Sequence, residues 1–342
     1  MTARTYFLVN DTRYDNHHGG LTVVRNLHAG MAARGWRCTG SIPVSSCVRH
    51  LARRREALRA ARLVVVNGEG SLHHDSRNSR RLFSICRALT KTHRLVLINA
   101  LWQDNDAVRW TPLLQRISAV YARDRRSQTQ LKDLGIEAGV APDLTFYDYP
   151  VFPAGSRSGY LCTDSVVSSW TEAALQWCRE QEDVDFITLF TGTVRYARGA
   201  RDWHKRIKCR LYPWLEEHAG VTVPPRYRAL PYALQDTGRF LQRLAACRAV
   251  CAARYHALCF ALQQKVPFVA VASNSHKSEA LLEDVGLPVH QALIPRADLP
   301  RLRGRLEQAA AGHLTFQDRI EAFNRSAREQ IDRMFDHIAG VR

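Results

Sequence analysis

The chain has 342 residues, 46% hydrophobic and 24% charged, with 49 Lys and Arg against 32 Asp and Glu, a formal charge of +17. This length exceeds one ordinary core and suits two domains of roughly 150 residues each, and the composition excludes a disordered chain. No stretch approaches the ~18 uninterrupted apolar residues of a membrane span, and the nine scattered cysteines contain no Cys-x-x-Cys pair, which fits buried reduced thiols better than a zinc site.

In chain order, the N-terminal MTARTYFLVNDTR carries a short apolar run that ends at Asn10 and Asp11. Lacking a signal-peptide core and a small-residue cleavage site, it reads as a first strand, and the protein as cytoplasmic. Short apolar runs then alternate with helical-period segments, the pattern of parallel sheets with crossover helices. Strands are predicted at Tyr6–Asn10, Arg37–Ile42, Leu63–Asn67, Leu95–Asn99, Ala119–Ala122 and Ala138–Ala141. Helices are predicted near 20–34, 48–60, 77–90, 106–117 and 125–134, the last stopping at Gly135, which suits the left-handed position after a helix.

The stretch Tyr147–Ser158, with two prolines and a Gly-Ser pair, reads as an interdomain linker. Strands near 159–163, 185–190, 225–229, 248–252 and 267–272 follow, with helices near 169–181, 201–217, 234–246, 256–264 and 277–286. Residues 296–338 read as helical almost throughout. The expectation is an α/β protein of two Rossmann-like, doubly wound domains, 1–146 and 159–295, facing a cleft, with helices of 296–342 packing across them.

Positive charge is densest in Arg49–Arg62 and Arg195–Arg210. The first run reads as an amphipathic helix with Leu51, Leu58 and Ala61 on one side. Its arginines form either a solvated face or a surface for anionic membrane lipid or a lipid-diphosphate acceptor. No nucleic-acid-binding motif is present, so nucleic acid is not an expected partner.

Four strand-end loops carry candidate chemistry. The run Asn67-Gly68-Glu69-Gly70-Ser71 leads into His73-His74-Asp75 and then a helix. Glycines after a strand let backbone N–H groups approach an anion or substrate, although the spacing is neither a dinucleotide fingerprint nor a P-loop. Glu69 is a candidate general base, with His73 and His74 as alternatives. The second loop holds Arg254 and His256, two apart at a strand end. A guanidinium grips carboxylate or phosphate, and an imidazole moves a proton near neutral pH. In the third loop Ser273, Ser275 and Lys277 can bind phosphate where a helix begins, and a plain turn is the equal alternative. The first loop carries Asp11, Asp15, His17, His18 and Gly19. Adjacent histidines rarely share one ion, so acceptor or anion binding is preferred to metal. Arg123, in Arg123-Asp124, reads equally as anion-facing or structural.

Taken in order, these loops resemble the polysaccharide pyruvyl transferase family: His17-His18-Gly19-Gly20, Asn67-Gly68-Glu69-Gly70-Ser71, Arg123-Asp124 with Ser127, Pro142-Asp143, Arg254-Tyr255-His256, and His276-Lys277 before Ala280-Leu281-Leu282. The resemblance spans roughly residues 5–290. It implies a glycosyltransferase-B-like fold, no cofactor, and transfer of a pyruvyl group from phosphoenolpyruvate to a pair of hydroxyls on a surface-polysaccharide sugar or its lipid-linked precursor. By that analogy Arg254 holds the donor's carboxylate or phosphate and His256 is general acid or proton shuttle, with Ser273, Ser275 and Lys277 of the third loop on the same donor side. His17, His18, Gly19, Asn67, Gly68, Gly70, Ser71 and His74 belong to the acceptor side. The sequence departs from the family at Glu69, where a glycine is usual, and at Gly20, where an Asp is. The extra carboxylate keeps open a glycosyltransferase with a nucleotide-activated, acidic sugar donor.

Overall fold

The computed structural model describes residues 4–153, 155–192, 232–312 and 316–341, with 207, 211, 214, 215, 218 and 219. The predicted strand near 225–229, and most of the helix near 201–217 and of the basic run Arg195–Arg210, lie outside them. The chain is α/β and contains two parallel sheets. Its residues group into two compact units. One comprises 1–14, 21–148 and 326–342; the other comprises 15–20 and 149–325.

The first sheet contains β1 (Arg4–Asp11), β2 (Trp36–Pro43), β3 (Leu63–Asn67), β4 (Arg94–Ala100), β5 (Ala119–Ala122) and β6 (Ala138–Val140). Their order is β2-β1-β3-β4-β5-β6. All five residues of β3, LVVVN, are buried. A strand covered on both faces must read as a continuous apolar run rather than an alternation, and β-branched valines suit it. Helices α1 (His18–Ala32), α2 (Arg49–Ala52), α3 (Arg55–Arg59), α4 (Arg77–Leu89), α5 (Ala107–Leu114) and α6 (Arg125–Asp133) connect these strands. Side-chain caps start three of them: Ser76, Asp106 and Asp124 accept from the backbone N–H three residues on. Gly135 takes the left-handed conformation after α6, with φ of 70°.

The single helix expected over 48–60 is instead two short ones, with Arg54 non-helical between them. The break falls within the run Arg53-Arg54-Arg55, where like charges crowd consecutive positions. The apolar side is nevertheless as expected: Leu51 and Ala61 join the core of the first unit, and Leu58 packs against it.

The second sheet contains β7 (Tyr160–Thr163), β8 (Val184–Ile187), β9 (Ala249–Ala252), β10 (Phe268–Val271) and a short β11 (Leu293–Ile294). Its order, β11-β10-β9-β7-β8, repeats the topology of the first five strands of the other sheet. Helices α7 (Ser168–Arg179), α8 (Thr237–Ala245), α9 (Tyr255–Gln263), α10 (Lys277–Val285), α11 (Val289–Ala292), α12 (Leu302–Gly312) and α13 (Gln317–Gly340) follow the strands. Helix α9 is buried along all nine residues, so its YHALCFALQ shows no polar face. In each sheet the strand order reverses once, between β1 and β3 and between β7 and β9. At such a point two neighbouring loops leave in opposite directions and open a crevice at the carboxyl ends of the strands.

Candidate functional site

Each unit carries a polar network at its own reversal point. In the first unit the loops after β1 and β3 meet. Asn10 Nδ2 donates to the Asn67 carbonyl at 2.6 Å and to Ser71 Oγ at 3.1 Å. Thr12 Oγ1 donates to Glu69 Oε2 at 2.6 Å, and Asn67 Nδ2 reaches the same oxygen at 3.2 Å. The Asn67 amide is itself oriented by the Glu69 N–H, which donates to its Oδ1 at 3.2 Å. Glu69 is thus a buried carboxylate with a fixed direction, and Asn67 and Ser71 are its supports. The backbone here is unusual: Asn10, His74, Asp75 and Asn99 all have positive φ. Such conformations recur where a structure holds side chains for a task.

The glycines of this loop do different work from that expected. The Gly68 N–H donates to the Ile98 carbonyl at 2.8 Å and so belongs to the strand ladder, not to an anion. A Cβ on Gly68 would fall 2.7 Å from Ala100 Cα, so glycine is required by the neighbouring strand. Gly70 has φ of 56° and open space around it, a left-handed turn residue. His73 forms a β-bridge with Gln103. His74 is exposed, with Nδ1 3.2 Å from Asp104 Oδ2. Asp11 is buried and held by Arg13 at 2.6 Å and by Ser41 Oγ at 2.8 Å.

Arg123 and Asp124 lie in the interior of the first unit. Arg123 is only 3% exposed, with Nη1 3.6 Å from Asp143 Oδ2 and Nε 4.0 Å from Asp124 Oδ2. The other oxygen of each carboxylate caps a turn: Asp124 Oδ1 accepts from Ser127 N at 2.7 Å, and Asp143 Oδ1 from Thr145 N at 3.0 Å.

The second unit gathers the remaining loops. Arg254 donates through Nε to Asp164 Oδ2 at 2.7 Å, and its Nη2 lies 2.6 Å from the same oxygen. Asp164 Oδ1 is taken by the Leu189 N–H at 2.8 Å, which ties β7, β8 and β9 together at their carboxyl ends. The guanidinium lies 4.8 Å over the Phe190 ring. Its fork is therefore fixed in plane before any ligand arrives, which lowers the entropic cost of gripping an anion. Asp164 was not anticipated from the sequence. An Asp directly after a strand reads as an ordinary cap, and only the sheet order brings it to Arg254.

His17, His18 and Gly19, expected on the acceptor side of the N-terminal domain, group with this second unit. A Cβ on Gly19 would lie 2.1 Å from His256 Cγ, so the start of α1 sits directly on the His256 ring. The His17 ring is 5.4 Å from that of His256 and edge-on to Phe190 at 5.6 Å. His18 is fully buried, bonded through Nδ1 to Thr237 Oγ1 at 2.9 Å and packed against the Phe240 ring, tilted by 34°. It packs inside the second unit and has no surface for an acceptor. Lys277 is 8% exposed and donates to Asn274 Oδ1 at 2.9 Å. Ser275 Oγ is buried and accepts or donates no hydrogen bond among the described residues, whereas Ser273 bonds Asn274.

Electrostatics tie this group together. Burial, then the charges of Arg254, His256, His18 and Lys277, hold the His17 imidazole well below its usual range. Its Nδ1 also accepts the Gly19 N–H at 3.1 Å, in the manner of a helix N-cap, which a protonated ring would forfeit. Folded protein thus leaves His17 neutral at a pH where the unfolded chain protonates it. Stability is full above the unfolded value of about 6.5 and falls as pH drops below it, by at most about 1.4 kcal/mol per pH unit. Substitution His17→Asn keeps a capping oxygen and removes the ring, so urea midpoints between pH 7.5 and 5.5 should depend less on pH than in the parent. An unchanged slope would clear His17 of this role.

The model of the polysaccharide pyruvyl transferase family matches residues 13–275. A search of curated proteins finds no significant match. Among solved structures, a protein of Listeria monocytogenes assigned as a UDP-N-acetylglucosamine 2-epimerase is similar with a TM-score of 0.54 and 11% identity, over 98% of this chain and 95% of that one. A UDP-glucosyltransferase of Polygonum tinctorium capable of glucosylating indoxyl is similar with a TM-score of 0.50 and 9% identity, over 99% and 98% of the two chains. At these identities the likeness is one of fold, shared by glycosyltransferases and epimerases.

Proposed function

Since the chain belongs to the polysaccharide pyruvyl transferase family and is a transferase, we propose that it moves the pyruvyl group of phosphoenolpyruvate onto a pair of sugar hydroxyls. The observation that carries this reading is the gathering of Arg254, Lys277, His17 and His256 around the crevice of one sheet. Phosphoenolpyruvate combines a carboxylate with a phosphate of roughly −1.5 to −2 charge. A fixed guanidinium and a buried ammonium suit those two anionic ends, and an imidazole suits the methylene carbon that must take a proton.

In this reading Arg254 grips one anionic end and the α10 amino end, with Lys277 and Ser275, receives the other. His256 gives a proton to the methylene carbon, which leaves the central carbon electron-poor. One hydroxyl oxygen bonds to that carbon, phosphate departs with its bridging oxygen, and the second hydroxyl closes the ketal. Of the two hydroxyl protons, one restores His256 and the other leaves with phosphate. The buried Glu69 carboxylate, oriented by Thr12 and Asn67, can accept a hydrogen bond from a sugar hydroxyl at the crevice of its own unit. The acceptor itself is proposed to be a surface-polysaccharide sugar, free or lipid-linked.

A nucleotide-sugar donor is the second reading, favoured by the glycosyltransferase-like fold. Thermal unfolding of the full chain with phosphoenolpyruvate, CMP, UDP and GDP separates the two. A ligand at about 100 times its Kd adds about 2.7 kcal/mol. Stabilisation by phosphoenolpyruvate alone is expected. Stabilisation by one nucleotide without any response to phosphoenolpyruvate would replace the first reading by the second.

A further inference from the structure

Helices α2 and α4 border an open groove of about 570 Å3 in the first unit. Four arginines line it, Arg49 from α2 and Arg77, Arg80 and Arg81 from α4, beside Cys47, Val48 and Ser84. None of the four forms an ion pair or a side-chain hydrogen bond with a described residue. Four guanidinium groups around one concavity repel one another, so the arrangement loses energy until an anion enters. Val48 is 40% exposed at its edge, an apolar side chain amid the charge.

The surroundings narrow the choice of anion. Five further arginines between residues 53 and 62 are all exposed, so the basic surface is wider than one phosphate requires. Leu51 and Ala61 are held in the core, which makes this a rigid face rather than a loose basic tail. No aromatic side chain lines the groove to stack a base, which argues against single-stranded nucleic acid. Among the described residues no helix is long and apolar enough to cross a membrane. A basic face with an apolar edge and no spanning helix matches peripheral adsorption to anionic lipid.

We infer that this groove seats the headgroup phosphates of an anionic lipid surface, with Arg49, Arg77, Arg80 and Arg81 as the phosphate ligands and Val48 at the acyl edge. Ser76, the N-cap of α4, comes directly after the loop that carries Glu69, His73 and His74. Docking would therefore hold that loop's helix against the lipid. The inference does not depend on the identity of the donor.

The test is co-sedimentation of the full chain with vesicles of phosphatidylglycerol and phosphatidylcholine in equal parts, against phosphatidylcholine alone. Binding is expected only to the anionic vesicles, weakening as salt is raised. Each arginine near an anionic surface is worth about 5-fold in binding. The pairs Arg80→Gln with Arg81→Gln, and Arg49→Gln with Arg77→Gln, should each lose about 25-fold. Two pairs guard against one failing to fold, and unchanged melting temperatures certify each. The charge-matched pair Arg325→Gln with Arg328→Gln, exposed on α13, should lose far less. An equal loss in that control would mean attraction by net charge alone and overturn the site. So would stabilisation by inorganic pyrophosphate, reversed by the groove variants, without vesicle binding, because the occupant would then be a soluble phosphate.

Discussion

Replacing His256 by alanine is expected to lower turnover by about 10²- to 10⁴-fold, the usual worth of a positioned acid or base. Turnover is read as phosphate released from phosphoenolpyruvate over a panel of pyranosides with paired free hydroxyls. Stabilisation by phosphoenolpyruvate should survive, because in the proposed reading Arg254 and Lys277 carry the binding. The partner experiment is Gly19→Ala. It leaves His256 in place but sets a Cβ 2.1 Å from its Cγ, a distance no structure tolerates, so the ring must shift. A displacement near 1 Å at a reacting group costs about 10²-fold. If His256 is the acid, both variants lose turnover and keep donor binding. If His256→Ala turns over like the parent while Gly19→Ala fails, the contact serves only to place α1 and the acid lies elsewhere.

The second large effect concerns stability. Arg123 is buried between Asp124 and Asp143, each of which spends its other oxygen on a backbone cap. Substitution Arg123→Met leaves two carboxylates buried without their cation, and breaking a buried pair in this way costs about 3–5 kcal/mol. Urea unfolding measures the loss directly. Adding Asp143→Asn should restore part of it, because one of the stranded charges is removed while an acceptor for the Thr145 N–H remains. The outcome also decides between the two readings of this arginine. A loss below about 1 kcal/mol, with donor binding abolished, would make Arg123 an anion ligand after all.

Much of this protein could be read from residue order. The alternation of apolar runs and helical periods located the strands to within a residue or two wherever the structure describes them, with two exceptions: β8 ends at Ile187 rather than continuing to 190, and the two-residue β11, Leu293–Ile294, is too short to show a pattern. Burial on two faces leaves its mark in consecutive residues, as in LVVVN of β3, and caps such as Ser76 and Asp124 act within three residues. Over 48–60 the apolar positions are local in the same way, but the break at Arg54 is marked by no glycine or proline and so leaves no trace in the residue order.

What the residue order does not contain is which loops become neighbours, because that follows from strand order and not from chain distance. Asp164 and Arg254 are 90 positions apart and bonded only because β7 and β9 are adjacent. Thr12 and Glu69 meet only because β1 and β3 are. Tertiary packing also reassigned residues whose type had suggested ligand chemistry. It sank His18 against Thr237 and Phe240, put the Gly68 N–H into a ladder, and enclosed Arg123 between carboxylates. Sequence names the groups able to hold anions and move protons. Burial and the reversal of strand order select those that face a crevice, since only there does a polar group gain more from a ligand than from its neighbours.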